Sequence, residues 1–247
     1  MKPQKTDSVR AYDAANRVQA YDVDMDVMHP LRSKMVAVAL EALPFERHAT
    51  LRGLDLGVGT GVFAARFLEF FPQATVVAVD GAESMVSFCK ARLGELANRV
   101  EFVISDFQRL TDEQVPPAAF DVVFSAYALH HLTAAEKQSL IGNALGWLKP
   151  AGWFVNADLV IAADPGVERR IQQLRVEGVV ARAKDGDDRF GSTAATRAFL
   201  DQLEQNEQDQ PLSLLEDLAV AKAAGLSSVE VFWKEYREAV WGGPKIA

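Results

Sequence analysis

Residues 54–61 read Leu54-Asp55-Leu56-Gly57-Val58-Gly59-Thr60-Gly61, an apolar run that closes in three glycines at alternate positions. Glycine allows a tight turn and leaves room for a ligand against the main chain. The helical pattern that follows, Val62 to Phe71, points its unpaired N–H groups back at the turn and favours polar or anionic ligand groups there. The segment is therefore expected to be a strand (Leu51 to Gly57), a ligand-binding turn and a helix halted by Pro72.

The same rhythm repeats outward. Thr75 to Val79 (TVVAV) reads as a second strand, Ser84 to Leu96 as a helix, Val100 to Ile104 as a third strand and Phe120 to Ser125 (FDVVFS) as a fourth. Thr133 and Glu136 form a capping box for a helix reaching about Leu148. A turn at Pro150-Ala151-Gly152 leads into a fifth strand, Trp153 to Ile161. Near-continuous apolar strands alternating with helices define an α/β fold, a doubly wound, mostly parallel sheet with helices on both faces.

After the fifth strand the rhythm breaks. Asp164-Pro165 opens a helix to about Lys184, and a second helix spans Thr193 to about Gln205. The linker QNEQDQP leads to a helix capped by Ser213 and Glu216 and stopped at Gly225. SVEVFWKEY and REAVWGG lie too close together for a crossover and read as an antiparallel hairpin. Residues 1–45 read as a helical cap in which Met28 to Leu43 is one packed helix ended by Pro44. Two readings of this cap stand side by side: a cover for the sheet, or a flap over the ligand carrying Tyr12 and Tyr21.

Composition narrows the class. A chain of 247 residues, 49% hydrophobic and 24% charged, suits one globular domain over 1–247 with a large core. No run approaches the roughly 20 apolar residues of a membrane span, so no membrane partner is expected. The single cysteine, Cys89, excludes an intrachain disulfide and a cysteine zinc site, and a reducing cytoplasmic location is the simplest expectation. A net charge of −8 argues against a nucleic-acid partner.

Chemistry gathers at three strand ends. The glycine turn is the first station. Asp80, roughly 20 residues past Gly61 at the end of the second strand, is placed to accept hydrogen bonds from ribose hydroxyls. Asp106 follows the third strand, beside Phe107, where a carboxylate and a ring suit an adenine. Gly59 to Ala64 also fits G-x-G-x-x-A, which keeps a nicotinamide-dinucleotide oxidoreductase in view. Asp55, inside the strand, counts against a pyrophosphate and suits the ammonium of an amino-acid moiety. No Gly-Lys-Ser/Thr follows the glycines, which disfavours a phosphate-binding loop.

LDLGVGTG, VVAVDGAESM, the Asp106 step, FDVVFSAYALHHL and LKPAGWF together resemble the class I S-adenosylmethionine-dependent methyltransferases, over about residues 45–163. The resemblance implies a seven-stranded sheet of order 3-2-1-4-5-7-6 with an antiparallel last strand, S-adenosylmethionine as cofactor and methyl transfer as activity. It implies that the turn Gly57, Val58, Gly59, Thr60 and Gly61 borders the methionine part, that Asp80 with Gly81 holds the ribose, and that Asp106 and Phe107 contact adenine. Ser125 and Ala126 would border the cofactor from the fourth strand. Met85 would either pack on the adenine or fill the core.

In-line methyl transfer mainly needs alignment and exclusion of water, with a base only for an acceptor that loses its proton early. His130 and His131 are the candidate bases; the competing account is loop ordering and packing. Neither has a partner at ligand spacing in His29 or His48, so no metal site is expected. Ser125-Ala126-Tyr127 lacks the proline turn of methylases acting on base or amide nitrogen, and Ser125 with Asn156-Ala157-Asp158 lacks the acids of magnesium-dependent catechol-type enzymes.

Acceptor choice is expected in residues 164–211, a helical lid. Its cations Arg169, Arg170, Arg175, Arg182, Lys184, Arg189 and Arg197 suit an acidic acceptor or a solvated helix face. Trp233, Tyr236 and Trp241 line the pocket or pack. The expected partner is a small-molecule acceptor, and a homodimer is plausible. The stretch from Pro211 to Lys245 also resembles bacterial small-molecule methyltransferases related to carboxy-S-adenosylmethionine synthase, a branch that modifies the cofactor's methyl group instead of passing it on. A cofactor-binding protein without transfer activity is the remaining alternative.

Overall fold

The computed structural model describes residues 15–246, with side chains from residue 21 onward. Tyr12 lies outside the described residues. The chain builds β1 (Arg52–Leu56), α3 (Val62–Phe70), β2 (Thr75–Asp80), α4 (Glu83–Leu93), β3 (Val100–Ile104), β4 (Phe120–Ala126), α5 (Ala134–Trp147) and β5 (Leu148–Leu159) in strict alternation. Ahead of them lie α1 (Ala15–Met28) and α2 (Arg32–Glu41). Behind them follow α6 (Pro165–Arg182), α7 (Thr193–Glu207), α8 (Leu214–Ala223) and the hairpin β6 (Glu230–Glu235) and β7 (Glu238–Pro244).

The seven strands stand in the order β3-β2-β1-β4-β5-β7-β6. β1 to β5 pair in parallel, whereas β7 runs antiparallel to both β5 and β6. This is the expected architecture, and its cause is visible in the pleat. Val76 and Ala78 face one core, with Met35 and Ala39 of α2, Phe67 of α3 and Met85 of α4. Val77 and Val79 face the other, with Leu140 and Ile141 of α5 and Ala221 of α8. β1, β2 and β4 are buried on both sides and carry no polar alternation, whereas the edge strands β3 and β6 are partly exposed. On the first face Phe67 and Phe124 stack at 4.8 Å, the offset contact aromatic rings favour.

Three details depart from expectation. The helix expected over Met28 to Leu43 is α2, which begins only at Arg32 and ends at Glu41; Met28 instead closes α1, and His29-Pro30-Leu31 breaks the chain between the two. Pro30 has no N–H to give and disfavours helical backbone in the residue before it, so α1 ends at Met28. The helix expected from Ser84 to Leu96 stops at Leu93, where Gly94 takes a positive φ and a short 3-10 segment follows. β5 begins at Leu148 instead of Trp153, because Leu148 pairs with Phe120 across an irregularity in the β4 ladder.

Candidate active site

A cavity of about 260 Å3 opens at the carboxyl ends of β1, β2, β3 and β4, where open α/β sheets place their ligands. Its wall includes Asp55, Gly57, Val58, Gly59, Thr60, Asp80, Gly81, Met85, Asp106, Phe107 and Ala126, all singled out by the sequence. The turn is fastened to its neighbour: the N–H groups of Gly57 and Val58 both donate to the Val79 carbonyl at 2.9 Å. Asp80 braces two turns at once, accepting from Gly59 N–H and Ala82 N–H at 2.8 Å each. Gly59 has φ +52°, and a Cβ there would meet only the Gly57 carbonyl at 4.0 Å, so it would project into the cavity.

Asp55 is 1% exposed, and its Oδ2 has no hydrogen-bond partner. Burial, then the neighbouring Asp80, pushes its carboxyl well above the usual range. A buried carboxylate held at such cost beside a ligand cavity suits a cationic ligand group. Asp106 caps the short helix Phe107–Arg109, accepting from Gln108 N–H at 3.0 Å. Met85 is both core and cavity wall, 1% exposed.

Three expected residues are placed differently. Gly61 does not line the cavity; a Cβ there would lie 2.5 Å from Cys89 Sγ, so this glycine admits α4 and not a ligand. Ser125 is fully buried in the sheet, its Oγ donating to the Leu56 carbonyl at 2.7 Å. His130 also stands outside the cavity wall, while His131 is part of it.

The two histidines belong to a buried charge network that the sequence did not show. His130 Nδ1 lies 2.6 Å from Asp158 Oδ1, and Asp158 Oδ2 accepts His130 N–H at 2.9 Å. Asp209, from the lid's end, lies 3.1 Å from His131 Nδ1 and 3.5 Å from His130 Nε2. Burial opposes charge on His130, yet Asp158 and Asp209 outweigh it and raise the imidazole to about 10. Burial and the charge on His130 lower His131. Asp158 and Asp209 thus favour the protonated form of His130, and its place outside the cavity wall sets it apart from His131 as a candidate base. His130, His131 and Asp209 also offer ligand atoms within 4.8 Å of one another, a proximity the sequence expectation of no metal site did not foresee. The two carboxylates around one imidazolium give the cluster a charge balance of its own.

The N-terminal cap reaches the same cavity, with Tyr21 and Arg32 in its wall. Asp22 ties the cap to the glycine turn, accepting from Arg32 Nη1 at 3.0 Å and Thr60 Oγ1 at 2.9 Å, with Arg92 as a further partner. Arg189 of the lid clamps Asp24 through two bonds of 2.9 Å. Of the other cations in residues 164–211, Arg197 pairs with Asp201 and Gln172, and Arg175 pairs with Glu204. Trp241 is fully buried and packs against Phe154 at 5.8 Å, so it is core.

A second cavity of about 270 Å3 lies between the α1–α2 break, α6 and the start of β7. The two cavities share a hydrogen-bonded wall. Tyr127, in the first, donates its hydroxyl to Glu238 Oε1 at 2.7 Å; Glu238, in the second, also holds His29 Nδ1 at 3.0 Å. Tyr127 has φ +49°, a conformation that side chains other than glycine rarely adopt. Residues 29, 127 and 238 carry no shared sequence signal.

Residues 54–152 match a family model described as a methyltransferase domain. An uncharacterized methyltransferase of Geobacillus kaustophilus is 30% identical over 147 residues, covering 60% of this chain and 65% of that one. An uncharacterized methyltransferase of Anoxybacillus flavithermus is 31% identical over 132 residues, covering 53% and 58%. The chain thus spans under two thirds of the length of these relatives. Among solved structures, an O-methyltransferase family protein from Burkholderia thailandensis superposes with a TM-score of 0.67 at 22% identity, covering 96% of this chain and 62% of that one. Phosphoethanolamine N-methyltransferase 2 of Haemonchus contortus, solved with phosphomonomethylethanolamine and S-adenosylhomocysteine, gives 0.58 at 19% identity, covering 81% and 38%. The strand order is that of the class I methyltransferase fold, and residues 54–152 carry the match to a methyltransferase domain.

Proposed function

We propose that this protein binds S-adenosylmethionine in the first cavity and transfers its methyl group to a small-molecule acceptor. The observation that carries the reading is Asp55 Oδ2, a buried acidic oxygen without a partner in the wall of a glycine-lined cavity. An ammonium group supplies what that oxygen lacks. The inserted antiparallel β7 separates this sheet from the order 3-2-1-4-5-6 of dinucleotide oxidoreductases.

Asp55 would hold the amino group and Arg32 the carboxylate of the methionine part, Asp80 the ribose hydroxyls, and Asp106 with Phe107 the adenine. Bound there, S-adenosylmethionine supplies a methyl group already activated by the sulfonium charge. What remains for the chain is alignment and exclusion of water. Ala126 and Tyr127, at the end of β4, and Tyr21 and Arg32, from the N-terminal cap, complete the wall.

Calorimetric titration with S-adenosylhomocysteine tests the donor site. A one-to-one isotherm in the micromolar range is expected, and no heat at high micromolar concentration sinks the reading. Asp80→Ala removes an acceptor of two backbone N–H groups, and a charged hydrogen bond contributes about 1.5–3 kcal/mol. Unchanged affinity in that variant would refute the role of Asp80.

A further inference from the structure

The second cavity has a mixed wall. Met28, Leu31, Leu159, Ile171 and Leu174 give it an apolar body, and Arg175, Arg182 and Arg237 give it cations. The cations outnumber their partners. One carboxylate, Glu204, serves both Arg175 and Arg237, the latter through Nη1 at 3.0 Å. Arg175 Nε and Arg237 Nε are buried and make no hydrogen bond, although Glu168 Oε1 stands 3.4 Å from Arg237 Nε. Arg182 donates its Nε to the Val27 carbonyl at 2.9 Å and has no carboxylate partner among the described residues. The acids in the same wall are engaged elsewhere: Glu235 with Lys34 at 3.4 Å, and Glu238 with His29 and Tyr127. Buried guanidinium N–H groups without acceptors are costly unless an anion completes them.

We propose that this cavity binds a small anion with an apolar body, the anionic group anchored on Arg175, Arg182 and Arg237 and the body set against Leu159, Ile171 and Leu174. The Tyr127–Glu238–His29 wall separates it from the first cavity, so its occupant and S-adenosylhomocysteine bind side by side.

The test titrates 3-phenylpropionate, 3-phenylpropanol and 3-phenylpropylamine, one skeleton with three charges, into protein loaded with S-adenosylhomocysteine. The acid is expected to bind at least about tenfold tighter than the alcohol, with the amine weakest. Arg182→Ala should cost about tenfold and Arg182→Lys less, since the charge survives. Equal binding of alcohol or amine, indifference to Arg182→Ala, or displacement of the acid by S-adenosylhomocysteine would overturn the assignment. Titration of S-adenosylhomocysteine into each variant reports separately on the donor site: if it fails while the acid still binds, the donor reading falls and the anion site stands.

Discussion

Asp55→Asn should move stability and binding in opposite directions. In the ligand-free protein Asp55 is fully buried, Oδ2 is unpartnered, and Asp80 adds like charge, so the ionised form is disfavoured in the fold and free in the unfolded chain. A folded-state value above the unfolded one means that stability is fully present below about 3.8 and is lost as pH rises toward the folded value. Leaving a buried polar group unsatisfied costs about 1–3 kcal/mol, and the neutral amide removes the charged part of that cost. The variant without ligand should therefore unfold at a higher temperature than the parent at pH 8, by about 2–4 °C for each kcal/mol recovered. At acidic pH, where both side chains are neutral, the two should converge. Affinity should fall instead. Losing one charged hydrogen bond to the ammonium, about 1.5–3 kcal/mol, weakens S-adenosylhomocysteine about 10- to 150-fold. Thermal unfolding at two pH values, with and without S-adenosylhomocysteine, separates the effects. A variant that is less stable than the parent without ligand, or that binds S-adenosylhomocysteine as well, refutes the assignment of Asp55 as a strained group kept for a cation.

The glycine turn gives a paired prediction. Gly61→Ala should destabilise the fold by about 2–4 kcal/mol in urea unfolding, because the methyl meets Cys89 Sγ at 2.5 Å and φ is +82°. Gly59→Ala should cost less stability but weaken S-adenosylhomocysteine more, because its methyl enters the cavity. The His130 network predicts a pH profile. An imidazole raised to about 10 lends stability that is complete below about 6.5 and is lost as pH climbs toward 10, so His130→Asn should flatten the melting temperature between those limits. Lys137 and Asp217, both essentially unexposed, pair at 2.5 Å between α5 and α8. Lys137→Met alone should cost about 3–5 kcal/mol by chemical denaturation, and Lys137→Met with Asp217→Leu should recover most of it.

The strand-end stations were legible because each rests on a few consecutive residues. A run such as TVVAV followed by Asp80 fixes both a two-sided strand and the place of its acid, and residues 54–61 fix the turn. Tyr21 was legible only as one of two readings of the cap, and the structure puts it in the cavity wall. Gly61 and Ser125 misled for a physical reason. A glycine that admits a ligand and one that admits a neighbouring helix look alike in sequence, and a serine at a strand end does not reveal whether it faces the cavity or the sheet.

No helix among the described residues is long and apolar enough to cross a membrane, in keeping with the composition. By itself the sequence determined the α/β sheet, the glycine turn and the acids within or just after β1 to β3, since glycine geometry, strand patterning and helix capping act over a few residues. Tertiary structure alone decided which groups meet between the two cavities. His29 and Glu238 are 209 positions apart, and Tyr127 and Glu238 are 111 apart. They meet because Pro30 breaks the N-terminal helix and because β7 enters antiparallel beside β5, bringing the first residue of that strand to the ends of the parallel ones. No local propensity encodes such a meeting; only the closed packing of the sheet does.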